Sequence, residues 1–276
     1  SQGSPAAVIT ERMAHEVFAL DAHIAPDPVT GSPMVLPRGR DRTAASTQPH
    51  HHEEDPVSVT TETPPTELVP ALEHSSMLAF DLTVAARRAL GPSLVRFTFA
   101  GADLEHFGTN SHVLDLRVKL IIPGPASSGD HFAPVRPGAM LDPGTHADWY
   151  RRWLQIDPAD RGWMRTYTVR EHRAAGHPGN LTDQPEIDID VVLHLDPDPQ
   201  PGQGVAARWA ADAREGDTIS MLGPNRHLVG PDYGGIEFRP GTARNVLLVG
   251  DETAVPAVGS ILEALPASIS GHALLE

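Results

Sequence analysis

Residues 187–192 set Ile187, Ile189 and Val191 against Asp188, Asp190 and Val192 in alternation. A repeat of two belongs to an extended strand, whose successive side chains leave on opposite faces, and does not fit a helix stripe of period 3.6. Strand character extends over Ile187–Leu195 and recurs at Leu78–Val84, Leu94–Ala100 (with Val95, Phe97 and Phe99 alternating), Val118–Ile122, Thr166–Arg170 and Thr218–Leu222. Short strands separated by turn residues predict an antiparallel barrel or sandwich.

The last segment reads differently. Asn245–Val249 is a compact apolar run closed by Gly250, Val255–Leu265 has Val258, Ile261, Leu262 and Leu265 at helical spacing, and Ala273–Leu275 begins another strand. Strand, helix and strand predict the start of an α/β unit with a parallel sheet. Two strands and one helix do not close a doubly wound core, so the rest of such a unit is expected outside this chain or from another segment. The expected division is a long flexible extension over 1–76, a β-barrel over 77–240 and the α/β start over 241–276. Pro, Thr, Ser and His crowd Pro26–Ser76, and His50, His51 and His52 there read as a solvated loop, since consecutive side chains converge poorly on one ion. Gly124–Pro143 reads as an exposed excursion, with short helices over Trp149–Leu154 and Ala206–Ala213 and a tight turn at Asp160–Gly162.

Composition excludes several chemistries. With no cysteine among 276 residues, disulfides, thiolate nucleophiles and cysteine-ligated clusters are absent, so redox work needs a bound cofactor. A formal net charge of −15 repels a phosphate backbone, which argues against a nucleic-acid partner. No window resembles a membrane span or a signal peptide, which leads us to expect a cytoplasmic chain without membrane insertion. Hydrolase signatures of the Gly-x-Ser-x-Gly or His-Glu-x-x-His kind are missing.

Three segments carry candidate chemistry. The first is Arg165-Thr166-Tyr167-Thr168-Val169-Arg170. On a strand, Arg165, Tyr167 and Val169 share one face and Thr166, Thr168 and Arg170 the other. Arginine can grip a phosphate, a tyrosine ring can lie on a flat heteroaromatic, and threonine can bond a ring nitrogen, which together suit a flavin nucleotide. The alternative is an ordinary barrel strand with one buried Tyr and two solvated Arg. The second runs from Asp190 and His194 through a Pro/Gly-rich loop to Gly204, Ala206, Ala207 and Trp209, where a helix start offers free amides to a pyrophosphate. Trp209 either packs on adenine or belongs to the core, and His194 either contacts the cofactor or is structural. The third is Gly250-Asp251-Glu252-Thr253-Ala254-Val255-Pro256, at the carboxyl end of an apolar strand where open α/β sheets bind ligands. Asp251 or Thr253 as a plain helix cap is the alternative.

In this order the segments resemble the siderophore-interacting protein family, FAD-dependent ferric-siderophore reductases related to ferredoxin–NADP reductases, over roughly 79–276. R-T-Y-T-V-R is similar to the family's Arg-x-Tyr-Thr-x-Arg, V-L-H with G-V-A-A-R-W to its V-L-H and Gly-Pro-Ala-Ser-x-Trp, and G-D-E-T-A-V-P-A to its Gly-Asp-Glu-Thr-Ala-x-Pro-Ala. Val205 stands where the family has Pro, Ala207 where it has Ser, and its His-Val-Lys-Leu is split into His112 and Val118-Lys119-Leu120. The resemblance implies an N-terminal FAD-binding β-barrel followed by an NAD(P)H-binding-like α/β unit. It assigns Arg165, Tyr167 and Thr168 to the FAD phosphate, ring face and N5 region, and Ala206, Ala207 and the helix start to the pyrophosphate. It implies a monomer that takes electrons from NADH, NADPH or ferredoxin and delivers them to a ferric siderophore, with no protein acid or base in the electron step. Lys119 and Arg170, aided by Arg117, Arg151 or Arg152, would meet an anionic siderophore. The competing reading is a non-enzymatic flavin- or siderophore-binding module without a donor site.

Overall fold

In a computed structural model, residues 22–26, 33–37, 68–126, 131–142, 149–194 and 204–276 are described, the first two segments by their backbone alone. His50, His51 and His52 lie outside them. Strands β1 (Ala22–Pro26) and β2 (Pro33–Pro37) pair as an antiparallel hairpin within the stretch expected as an extension. The short β3 (Val69–Pro70) pairs with β7 (Met140–Leu141), and Ala71, directly after β3, is fully buried in the main core.

Six strands close the barrel. They are β4 (Met77–Ala89), β5 (Leu94–Ala100), β6 (Arg117–Ile122), β8 (Trp163–Arg173), β9 (Glu186–Val192) and β10 (Thr218–Pro224), in the order β10-β4-β5-β9-β8-β6. Every pairing is antiparallel, and closure leaves no free sheet edge. Phe80, Phe97, Phe99, Leu120, Val169, Ile187, Ile189 and Met221 fill the interior with no exposure. β4 runs past its expected end at Val84 because a bulge between Val84 and Ala86 lets it bend and stay paired with β5. β9 stops at Val192 instead of Leu195.

The helix Val205–Asp212 packs Ala206 and Ala210 against the barrel core. Its half-buried Trp209 ring lies 5.4 Å from Phe97 and 6.4 Å from Phe99 and so packs on the edge of the core.

Two sequence expectations between β6 and β8 are corrected. The segment 124–143 is not simply exposed, because Phe132, Val135 and Leu141 are buried, the first two in an outer cluster with Ala79, Ile121, Trp153 and Leu222. Asp160–Gly162 is not an isolated turn. It ends a helical turn, Pro158–Arg161, that Asp157 caps and Gly162 terminates at φ +76°. A Cβ on Gly162 would stand 2.3 Å from the Ile122 carbonyl oxygen, so only glycine lets the chain enter β8 there.

At the C-terminal end β11 (Asn245–Gly250) and β12 (Ser270–Leu275) are parallel, joined by the helix Val255–Ala264. Val258 and Ile261 of that helix are buried but Leu262 is half exposed, contrary to the face its spacing suggested. Among the described residues no helix is long and apolar enough to cross a membrane.

Candidate functional site

β8 is the organising element. Its register with β6 sets Arg165 opposite Leu120, Thr166 opposite Lys119, Tyr167 opposite Val118 and Thr168 opposite Arg117. Directly opposed residues share a face. Val118 and Leu120 are interior, so Tyr167 and Arg165 project on that side, and Tyr167 packs against the core. Burial pushes the Tyr167 phenol up, and the Arg165 charge pulls it partly back. Arg165 donates through Nη1 to the Met164 carbonyl at 3.0 Å.

The opposite face carries polar chemistry. Lys119 Nζ donates to Thr166 Oγ1 at 2.6 Å. These two, with Arg117, Tyr233, Gly234 and Gly235, line a groove of about 430 Å³. Arg117 donates to Glu237 Oε1 and to the Gly234 carbonyl. Burial also pushes the Tyr233 phenol up, against the pull of Arg117. Tyr233 carries no motif, and sequence reasoning missed it. Neither Arg151 nor Arg152, on the helix Trp149–Gln155, lines the groove.

Arg170 goes elsewhere. A register shift between Val169 and Glu171 turns the strand, and Arg170 grips Glu263 of the Val255–Ala264 helix with both Nη atoms. That cation holds the Glu263 carboxyl below its ordinary value. Ser260 Oγ donates to the Arg170 carbonyl at 3.1 Å, so this residue clasps the barrel to the βαβ segment. Arg170, Arg96, His112 and Glu263 line a separate cavity of about 280 Å³. The structure therefore does not bring Arg170 together with Lys119.

Asp190 is engaged as well. Arg96 Nε and Nη2 reach its two oxygens at 2.6 and 2.8 Å, a bidentate pair that raises the Arg96 pKa. Next to it Asp188 accepts from Thr98 Oγ1 at 2.8 Å and from Arg173. Burial alone would raise the Asp188 carboxyl, but the Arg173 and Thr98 bonds and the Arg96 charge hold it below the carboxylate range. The polar side of β9 thus belongs to a buried ion network. Arg96 and Arg173, its cationic half, gave no motif signal.

The second and third segments meet. His194 Nε2 lies 3.1 Å from Glu252 Oε1, both side chains being largely exposed. Asp251 accepts from the Thr253 N–H at 2.9 Å as the cap of a single 3₁₀ turn, Glu252–Ala254, and the Thr253 hydroxyl keeps its carboxyl low. Gly204 starts the Val205–Asp212 helix in the left-handed region at φ +60°, and among the described residues no side chain caps its first amides. Ala206 and Ala207 are small and buried there.

This donor set fits a flavin nucleotide. Helix-start amides and the Arg165 guanidinium are each suited to phosphate, and the Tyr167 ring, on the Arg165 face of β8, is an apolar plate packed against the core. Residues 83–228 match the siderophore-interacting FAD-binding domain, and residues 243–276 match the siderophore-interacting protein. The chain belongs to the siderophore-interacting protein family. The ferric vibriobactin reductase ViuB of Vibrio cholerae is 29% identical over 195 residues, covering 71% of this chain and 57% of that one. A Mycobacterium tuberculosis protein is 32% identical over 195 residues, covering 70% and 56% respectively. The crystal structure of a siderophore utilization protein from T. fusca is 27% identical, covers 76% of this chain and 62% of its own, and superposes with a TM-score of 0.48. The chain spans about half the length of the curated relatives it matches. In this member of the family the first match runs from within β4 to just past β10, and the second begins just before β11.

Proposed function

We propose that the protein is an FAD-dependent reductase of ferric siderophores that releases Fe(II), with NADH, NADPH or ferredoxin as electron donor. The observation that carries the reading is the shared face of Arg165 and Tyr167 on a barrel that matches the siderophore-interacting FAD-binding domain. Arg165 would hold a phosphate, Tyr167 would lie along the ring face, and the Thr168 hydroxyl would bond the N5 region. The amides of Val205, Ala206 and Ala207 would take the pyrophosphate at the positive end of their helix. Asp190 would act at one remove, by fixing Arg96 and β9. Asp251, Glu252, Thr253 and His194 would border the donor side.

Bound FAD supplies both two-electron and one-electron chemistry, which matches a nicotinamide donor to Fe(III). Lys119 and Arg117 would hold an anionic ferric siderophore in the groove they line with Thr166, local cations on a chain of net charge −15. No side chain has to move a proton in the electron step. Fe(II) binds hard oxygen ligands less tightly, so release follows reduction.

The test is spectral. The purified protein should show flavin absorption and, on anaerobic addition of one of the three donors with a ferric siderophore and an Fe(II) chelator, form the coloured Fe(II) chelate. A colourless protein that releases no flavin on denaturation overturns the reading. A yellow protein that binds siderophore but is bleached by no donor supports a binding module instead.

A further inference from the structure

Away from that site, His106 Nδ1 and His227 Nε2 stand 3.0 Å apart, on segments joined only through the tertiary fold. We propose that this pair is a binding site for a divalent late first-row metal ion such as Zn²⁺, Co²⁺ or Ni²⁺. An ion about 2.0–2.1 Å from each of two imidazole nitrogens in tetrahedral geometry holds those nitrogens about 3.3 Å apart, so a small ring rotation admits it. His106 already carries the outer contact that ligating histidines use, its Nε2 facing Glu105 Oε1 at 3.2 Å. With the Nε2 hydrogen directed at that carboxylate, Nδ1 accepts the hydrogen bond from His227 Nε2–H, and a bound ion takes the place of that one hydrogen while His227 keeps its proton on Nδ1 instead.

The backbone around the pair is preorganised. Arg226 N–H donates to the His106 carbonyl at 2.9 Å, and Phe107 bridges Asn225. Asn225, fully buried, accepts from the His227 N–H at 3.1 Å and donates to the Leu72 and Ser75 carbonyls. His227 is exposed, which leaves the remaining coordination positions to water. Among the described residues no group of three or more His, Cys, Asp or Glu side chains is placed for a metal, so this is a two-ligand site of modest affinity. The Arg226 guanidinium, bonded to Asn110 and to the Glu105 carbonyl, weakens it further, while imidazole ligands favour these ions over Mg²⁺ or Ca²⁺.

The experiment is Zn²⁺ titration calorimetry on the full chain with His50, His51 and His52 replaced by Gln, so that they do not compete. One ion should bind. H106Q and H227Q should each weaken it at least about tenfold, Glu105→Gln by less, and Zn²⁺ should raise the melting temperature of the parent but of neither His variant. Metal-free melting curves that match the parent show that the variants fold. Absence of saturable binding up to about 1 mM Zn²⁺ overturns the proposal, as does a loss confined to one of the two histidines or to neither.

Discussion

His194 Nε2 sits 3.1 Å from the Glu252 carboxylate, tying the end of β9 to the turn that opens the Val255–Ala264 helix. Both side chains are solvated, and an exposed pair of this kind contributes at most about 1 kcal/mol. Glu252→Gln should therefore leave the unfolding midpoint nearly unchanged while altering the turnover supported by the electron donor. A large drop in stability with unchanged turnover would contradict a role on the donor side.

Arg165→Gln removes the charged fork but keeps a polar side chain of similar reach. Losing one charge-assisted phosphate contact, worth about 1.5–3 kcal/mol, should weaken FAD binding roughly 10- to 100-fold. Flavin fluorescence titration of the apoprotein measures this. Equal affinity in both proteins would remove Arg165 from the phosphate site.

Lys119→Ala should raise KM for an anionic ferric siderophore about three- to tenfold at low ionic strength, with kcat unchanged. The difference should shrink as salt screens the charge. An unchanged KM at low salt would take Lys119 out of substrate binding.

Asp190→Asn leaves the Arg96 guanidinium, only 18% exposed, without its anion. Breaking a buried ion pair from one side costs about 3–5 kcal/mol, so a loss near the lower figure is expected in urea unfolding. Replacing Arg96 and Asp190 together by apolar residues should recover much of it. Wild-type stability in the single variant would mean that the β9 network is not structural.

His172 is held down to about 4, mainly by burial, with the Arg226 and Arg173 charges adding to the effect and a bond to the Leu104 backbone opposing it. Its ring stands edge-on to Phe107, and its buried Nε2 has no hydrogen-bond partner among the described residues. The folded value is below the unfolded one, so the unfolded chain takes the proton more readily. The neutral ring's stabilisation is complete above about pH 6.5 and is lost as pH falls towards 4, by on the order of 3 kcal/mol in all. Urea midpoints across that window should fall, and fall less in His172→Gln. A parallel decline in both proteins would assign the acid sensitivity to other groups.

Much of the barrel was legible from alternation, because a strand with one face in a core must repeat every two residues. Leu94–Ala100 was read to the residue, and the parallel βαβ followed from an apolar run, a glycine and a helical stripe. The sharing of a face by Arg165 and Tyr167 is likewise a local property of extended backbone. Where Arg170, Asp190 and Trp209 go was not local. Arg170 finds Glu263, Asp190 finds Arg96, and Trp209 finds Phe97 only once the barrel has closed and the helices have packed on it. The sequence by itself determined periodicity, turn chemistry and family likeness, since these depend on near neighbours. Which charges pair, and which rings meet, was decided by the tertiary structure, because ion pairs and ring contacts depend on distances that no local pattern encodes.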